Sequence, residues 1–253
     1  MQVLRHSDVP PEAIPTGERL LDRATRPYLA WVPSGKAIVL GNSQEPEKEL
    51  NLDAVVRDGI PVFKRMSGGG AVLLSPGCVC LGLRFAKDKS LGIPDYFAKA
   101  SAVISEVAAD KLGLGLRLRG TSDLAYLGPL GSDAGGMEAA LGEKLAESEG
   151  NPEGTLERKV AGCALYMPRD FVLYLVSILV EPDFTCIEKY LAHPSKEPGY
   201  RGGRSHRDFL AGLGPLAEQQ GKRVRPAELA AWLERKIPAS PGLVLDWELC
   251  TQG

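Results

Sequence analysis

The chain has 253 residues, of which 44% are hydrophobic and 25% charged, so it can bury a sizeable core as one large domain or two small ones. A formal net charge of -2 and a pI near 6.0 provide no overall basic surface, which excludes nucleic acid as the expected partner. The first residues lack a signal-peptide core, and no segment reaches the roughly 18 apolar residues that span a bilayer. We therefore expect a cytoplasmic protein with no membrane contact.

The first half of the chain predicts short helices and strands in alternation. Residues 18–24 are expected to form a helix, and the apolar runs 28–32 and 37–40 are expected to form a β-hairpin around a Pro-Ser-Gly turn. Asn51 is a candidate cap for a helix that ends near Gly59. Further strands are predicted at 60–63, 71–74 and 78–84.

The second half begins with the strongest helix signal, which runs from Pro94 with apolar residues at helical spacing to a stop at Gly113. Strands are predicted at 116–120, 122–128, 159–167 and 171–180, and a helix at 225–237. This pattern indicates an α+β domain, with a mixed β-sheet and flanking helices. We predict one catalytic domain over 1–253, with an exposed insertion or mobile flap at 128–157 and a short helical tail at 215–253.

Five cysteines are present, and they form neither a CxxC pair nor a disulfide framework. We expect reduced thiols at Cys78, Cys80, Cys163, Cys186 and Cys250. Three histidines without HExxH or paired Cys/His spacing provide no ligand set for structural zinc.

The segment KRMSGGGAV at 64–72 places three glycines between two predicted strands. Glycines permit positive φ angles and expose N–H groups, so a carboxylate or phosphate can approach the main chain. The segment lacks the GK[ST] of a phosphate-binding loop and continues into a strand rather than a helix. A glycine bulge that only reverses the chain is the alternative.

The order of SGGGAV, SDL at 122–124 and KVAGCA at 159–164 resembles the biotin and lipoate protein ligase family, most closely lipoate-protein ligase A. The resemblance covers about residues 17–213 and includes IVLGNSQEPEKELN upstream. It implies the class II aminoacyl-tRNA synthetase/biotin ligase catalytic fold. It also implies ATP-dependent activation of lipoate to lipoyl-AMP and transfer of the lipoyl group to a lysine of a lipoyl-domain protein.

Carried over by residue, the resemblance implies that Lys159 is catalytic and holds the substrate carboxyl and the α-phosphate. It implies a substrate and adenylate site made of Arg65, Ser67, Gly68, Gly69, Gly70, Ala71, Val72, Ser122, Asp123, Gly162 and Cys163. An ammonium also reduces the repulsion between a carboxylate and a phosphate. Asp123 is expected to help bind ATP through Mg²⁺, with a turn or strand-edge aspartate as the alternative.

Several positions depart from the family pattern: Lys64 replaces arginine, Ser122 replaces asparagine, and Leu73, Leu74, Cys80, Tyr174 and Leu175 replace aromatic or polar residues. These changes predict a more apolar acid pocket and leave lipoate, octanoate and biotin open as the acid. The absence of a long C-terminal extension leaves open a separately encoded accessory domain.

Two other functions remain open at this point. Cys163 follows Lys159 by four residues, so on a regular strand both would face one side, and an ATP-independent octanoyl or lipoyl transferase could use that thiol. A non-catalytic acyl-binding subunit is the third. The basic loop 193–209 could close over the adenylate phosphate, meet an acidic lipoyl domain, or be a solvated loop.

Overall fold

A computed structural model describes residues 3–5, 26–129, 155–240 and 242–245. Its strands are β1 (Val3–Arg5), β2 (Tyr28–Trp31), β3 (Ala37–Leu40), β4 (Val62–Lys64), β5 (Val72–Leu74), β6 (Cys78–Ala86), β7 (Leu116–Arg119), β8 (Asp123–Pro129), β9 (Thr155–Tyr166) and β10 (Phe171–Leu179). Its helices are α1 (Pro46–Glu49), α2 (Leu52–Arg57), α3 (Ile93–Val107), α4 (Phe184–Tyr190), α5 (His206–Phe209), α6 (Leu213–Gln219) and α7 (Pro226–Lys236). The α+β prediction is confirmed.

The described strands form two sheets. The larger is antiparallel, with strand order β2-β6-β10-β9-β8-β7, and the smaller is mixed, with order β1-β4-β3-β5. The predicted hairpin of β2 and β3 is therefore wrong, because β2 pairs with β6 while β3 pairs with β4 and β5. The Pro-Ser-Gly turn between them passes the chain from one sheet to the other.

The core lies on one face of the large sheet, under α3 and α7. Alternate residues of β6 and β10 face these helices, as the period of two along a strand requires. Helix α3 supplies seven buried residues, continues into a π-helical turn (Ala108–Leu112), and ends at Gly113, whose φ of 71° is left-handed. The opposite face of the large sheet packs against the small sheet.

The sequence correctly predicted α2, but the predicted role of Asn51 as its cap is wrong. Asn51 precedes α2 as predicted, yet its side chain donates hydrogen bonds to the carbonyls of Glu188 and Lys189 instead of capping the helix. It thereby joins α2 to α4. The helix predicted at 18–24 and nearly all of the 128–157 insertion lie outside the described residues. No helix in the described part of the chain is long and apolar enough to cross a membrane.

Candidate active site between the two sheets

A narrow cavity of about 120 Å³ lies between the uncovered face of the large sheet and the small sheet with its glycine turn. Its walls are mostly apolar and include Trp31, Val39, Leu74, Cys80, Ala164 and Leu175. It opens into a wider groove of about 910 Å³, whose lining includes Lys48, Glu49, Arg119, Lys196, Arg201 and His206. The cavity suits an acyl chain, and the groove suits a charged polar ligand.

Lys159 lies where the cavity meets the groove, because a β-bulge redirects it. Asp123 and Leu124 of β8 pair with Gly162 and Ala161, but the next residue of β8 pairs with Lys159, so one residue of β9 has no partner opposite. The extra residue restores Lys159 to the face that carries Asp123 and Gly162. The lysine side chain then lies across Gly162, where an added Cβ would be 3.0 Å from Nζ.

The Lys159 ammonium is 2.7 Å from Oδ1 of Asp123, and the hydroxyl of Tyr200 donates to Oδ2 of that buried carboxylate at 3.0 Å. Asp123 is the first residue of β8, and each of its two oxygens has a protein donor. No group of three metal-binding side chains occurs among the residues that the structure describes. A role for Asp123 in binding Mg²⁺ together with ATP phosphates stays a prediction.

The glycine turn is held from inside by Arg65. Its buried guanidinium donates to the carbonyl oxygens of Gly68 at 3.0 and 2.8 Å and of Gly70 at 2.9 Å, and it approaches the Val39 carbonyl at 3.4 Å. Arg65 therefore positions the turn and also borders the cavity, and its contact with the adenylate stays a prediction. A planar fork with five donors suits this task, which a lysine could not reproduce.

Carbonyl orientation determines where the N–H groups of the turn point. Across a planar trans peptide the N–H and C=O point in opposite directions, so carbonyls drawn toward Arg65 turn the N–H groups of Gly69 and Ala71 away from it. Only the central glycine, Gly69, has a positive φ, of 102°. The turn requires a fourth glycine, Gly41, which lies outside the motif. Its Cα lies against the Gly69 carbonyl, so that an added Cβ would be 2.1 Å from that oxygen.

The cavity floor is one row of residues that runs across the strands of the large sheet. Asp123 pairs with Gly162, Gly162 with Ser177, Ser177 with Cys80, and Cys80 with Trp31. Directly opposed residues share a face, so small side chains leave a channel that ends at a large indole. Trp31 was missed from the sequence because only strand register places it opposite Cys80.

Cys163 borders the cavity, but its thiol points to the other face of the sheet. The bulge breaks the alternation that was expected to put it beside Lys159, and its thiol instead joins the core, where the Tyr174 hydroxyl donates to Sγ at 3.0 Å. Burial raises the pKa of Cys163 to about 12, which opposes thiolate formation. Tyr174 likewise faces the core rather than walling the cavity, while Leu175 does line it, as the prediction of a more apolar pocket requires.

The basic loop is partly buried, so the solvated alternative is wrong for two of its arginines. Arg204 donates to the carbonyls of Tyr200, Arg201 and Glu157, and Arg201 donates to the carbonyl of Arg204. Lys196, Arg201 and His206 line the groove. Burial, with the positive charge of Arg201 and others, lowers the pKa of His206 to about 4, so it is neutral at pH 7.

The other predicted site residues divide by location. Gly69, Gly70, Ala71, Val72, Ser122 and Asp123 line both the cavity and the groove. Ser122 is held there by its carbonyl, which accepts from the Cys163 N–H at 2.7 Å. Ser67 is buried behind the turn, and its hydroxyl has no hydrogen-bond partner among the residues described. Gly68 contributes its carbonyl to Arg65 and does not border either space.

Comparison with known proteins gives one consistent result. Residues 15–236 match the family model of the lipoyl protein ligase A/B catalytic domain. A probable lipoate-protein ligase A of Mycoplasma pneumoniae is 28% identical over 158 residues, which are 62% of this chain and 38% of that protein. This chain therefore aligns with well under half the length of that curated relative.

Two solved structures share the fold. A bipartite lipoate protein ligase from Thermoplasma acidophilum, described with its E2 lipoyl domain, superimposes with a TM-score of 0.61 at 20% identity, over 84% of this chain and 70% of that one. A lipoate-protein ligase A bound with ATP has a TM-score of 0.57 at 20% identity, over 81% of this chain and 69% of that one. At these identities the likeness concerns the fold.

Proposed function

Because this chain belongs to the lipoyl protein ligase A/B catalytic-domain family, we propose that it activates lipoate with ATP to lipoyl-AMP and transfers the lipoyl group to a lysine of a lipoyl-domain protein. The observation that carries the proposal is the Lys159 ammonium at the junction of an apolar cavity and a polar groove. We place the reaction in the cytoplasm. A related lipoate-protein ligase A binds ATP, and the related Thermoplasma acidophilum ligase acts with an E2 lipoyl domain, which supports the same two partners here.

The length of the cavity floor supports an acid of about the size of lipoate. Neighbouring strands are about 4.8 Å apart, so two steps from Gly162 through Ser177 to Cys80 cover roughly 10 Å. An extended chain with single bonds of about 1.5 Å advances about 1.3 Å per carbon, which corresponds to about eight carbons over this distance. Trp31 follows as the end wall. Lipoate and octanoate both have eight-carbon chains, which match this length.

In the first step, a carboxylate oxygen of the acid attacks the α-phosphorus of ATP, and the bond to the β-phosphate oxygen breaks to release pyrophosphate. Lys159 stabilises the two anions as they meet, and the N–H groups of the glycine turn provide donors at the same junction. Magnesium carried by ATP would neutralise phosphate charge. In the second step, the acceptor amine attacks the acyl carbon, an amide forms, AMP leaves with the bonding electrons, and the amine loses a proton to solvent.

Lipoate-dependent exchange of radioactive pyrophosphate into ATP tests the first step. We expect exchange in the wild type, and a loss of at least about 100-fold in Lys159→Ala, since one preorganised charge contributes about 3 kcal/mol or more to a transition state. Lys222→Ala is the control, because Lys222 lies beside Gly113, away from the cavity and the groove. Exchange that survives in Lys159→Ala would overturn the mechanism. Substituting octanoate and biotin in the same assay identifies the acid.

The two other functions can be separated by the exchange assay together with a Cys163→Ser variant. The cysteine transferase has no support from the structure, since the thiol of Cys163 lies in the core. The transferase function would nevertheless be established if the protein transfers octanoyl groups without ATP and Cys163→Ser abolishes that transfer. Binding of the acid without exchange or transfer would identify an acyl-binding subunit. If the protein forms the adenylate but transfers the acyl group only after a second protein is added, that second protein would be the separately encoded accessory domain.

A further inference from the structure

Tyr200 belongs to none of the motifs that identified the site, yet its hydroxyl reaches the centre of it. The residue follows a proline and glycine in the basic loop, and its side chain is buried. Its hydroxyl donates to Oδ2 of Asp123 at 3.0 Å, while Oδ1 of the same carboxylate is 2.7 Å from the Lys159 ammonium. One buried carboxylate thus has two donors, one from the loop and one from strand β9.

The position of Tyr200 is held from several sides. Its ring packs at 5.1 Å from the ring of Phe209, and the guanidinium of Arg119 lies 5.4 Å from the ring centroid. Its carbonyl accepts a hydrogen bond from Arg204 at 2.7 Å, and Arg204 also donates to the Glu157 carbonyl on β9 at 2.9 Å. The hydroxyl is therefore presented to Asp123 in a fixed geometry, which is the condition for one group to orient another.

The loop is also attached to the backbone of the lysine itself. The N–H of Ala211, just after α5, donates to the carbonyl of Lys159 at 2.9 Å. The loop between Tyr200 and Ala211 therefore touches Lys159 at its main chain and, through Asp123, at its ammonium. Both ends of the lysine side chain are constrained by one segment of chain.

We propose that Tyr200 is a positioning residue for Lys159, an inference that rests on the proposed ligase function. By satisfying Oδ2, the Tyr200 hydroxyl leaves Lys159 paired with Oδ1 alone, so the ammonium stays over Gly162 at the mouth of the cavity. Without the hydroxyl, Oδ2 is a buried acceptor that has lost its partner, and the ammonium beside Oδ1 is placed to replace that partner. Lys159 is then drawn toward Oδ2 and away from the place where the acid and ATP meet.

The test is the Tyr200→Phe variant, which keeps the ring and its packing and removes one oxygen atom. The chain contains a matched control, since the hydroxyl of Tyr190 donates at 2.9 Å to the carboxylate of Asp58, which is itself paired with Lys189. Tyr190→Phe removes the same kind of bond at a site that borders neither the cavity nor the groove. Melting temperatures establish that both variants fold.

Lipoate-dependent pyrophosphate exchange gives the readout. We expect kcat to fall about tenfold or more in Tyr200→Phe, because a hydrogen bond to a charged group is worth at least about one factor of ten, with KM for ATP within about twofold of wild type. Tyr190→Phe should retain wild-type exchange. In the Asp123→Asn background, Tyr200→Phe should lower kcat by less than about twofold further, since Tyr200 acts through that carboxylate.

The outcomes separate this inference from the proposed function. Exchange in the wild type that Tyr200→Phe leaves unchanged overturns the positioning role and leaves the ligase function standing. A fall in kcat that is equally large with and without Asp123 also overturns it, because the effect would then not pass through the carboxylate. No exchange in a folded wild-type protein overturns the ligase function, and this inference with it.

Discussion

Gly162→Ala is the change for which the structure makes the sharpest prediction. A Cβ at this position would be 3.0 Å from Nζ and 3.1 Å from Cε of Lys159. Ordinary carbon contacts begin near about 3.5 Å, so the end of the lysine side chain must move by about half an ångström or more. Because the obstructing atoms belong to the flexible end of a side chain, folding should not suffer, and alanine is favoured over glycine in a strand.

Catalysis should respond very differently, because displacement of a reacting group by about 1 Å can cost about 100-fold in rate. We expect kcat/KM for lipoate-dependent pyrophosphate exchange to fall between about 10- and 100-fold, with a melting temperature equal to or above that of wild type. Gly115→Ala is the control, since a Cβ there would meet nothing within 4 Å. Exchange within about twofold of wild type in Gly162→Ala would refute the assigned position of the ammonium.

Three further outcomes are expected. Trp31→Ala should remove the end wall of the cavity. Because each additional buried methylene is worth about 0.8 kcal/mol, kcat/KM for an acid two carbons longer should rise about tenfold relative to kcat/KM for lipoate. An unchanged ratio would place the wall elsewhere. Iodoacetamide at pH 8 should modify the partly exposed Cys186 and spare Cys163, whose pKa burial raises to about 12, as peptide mass spectrometry of the native and denatured protein will show. The fold lowers the pKa of His206 from 6.5 to about 4, so the unfolded chain binds a proton at this side chain more readily than the folded chain does. The free energy of unfolding should therefore be highest above pH 6.5 and should decline as the pH falls toward 4. His206→Gln should flatten that decline in urea titrations at pH 7 and pH 5, and a parallel decline in both proteins would contradict the assignment.

The motifs predicted much of the site, whereas the apolar runs predicted the positions of strands but not how those strands pair. SGGGAV and KVAGCA located the turn and the lysine, because glycine strings and a lysine in a fixed context are properties of adjacent residues. The apolar runs located β3, β6, β9 and β10 to within a few residues. The pairing of β2 could not be read in the same way, since a short apolar run is compatible with either sheet.

What only the tertiary structure decided depends on register and on contacts between distant segments. The bulge in β9 places Lys159 beside Asp123 and directs Cys163 into the core. In a regular strand, Lys159 and Cys163 would share one face, because their positions differ by four. The sequence associated Arg65 with the glycine turn, but only the folded structure shows that its guanidinium donates to the carbonyls of that turn. The sequence by itself determined the part of the site that lies in contiguous motifs, which is the glycine turn, Asp123 and Lys159, whereas Trp31, Gly41 and Tyr200 join it only through the fold. The pairing of strands decided which atoms of those residues face the ligand, because one inserted residue reverses the face of every side chain that follows it.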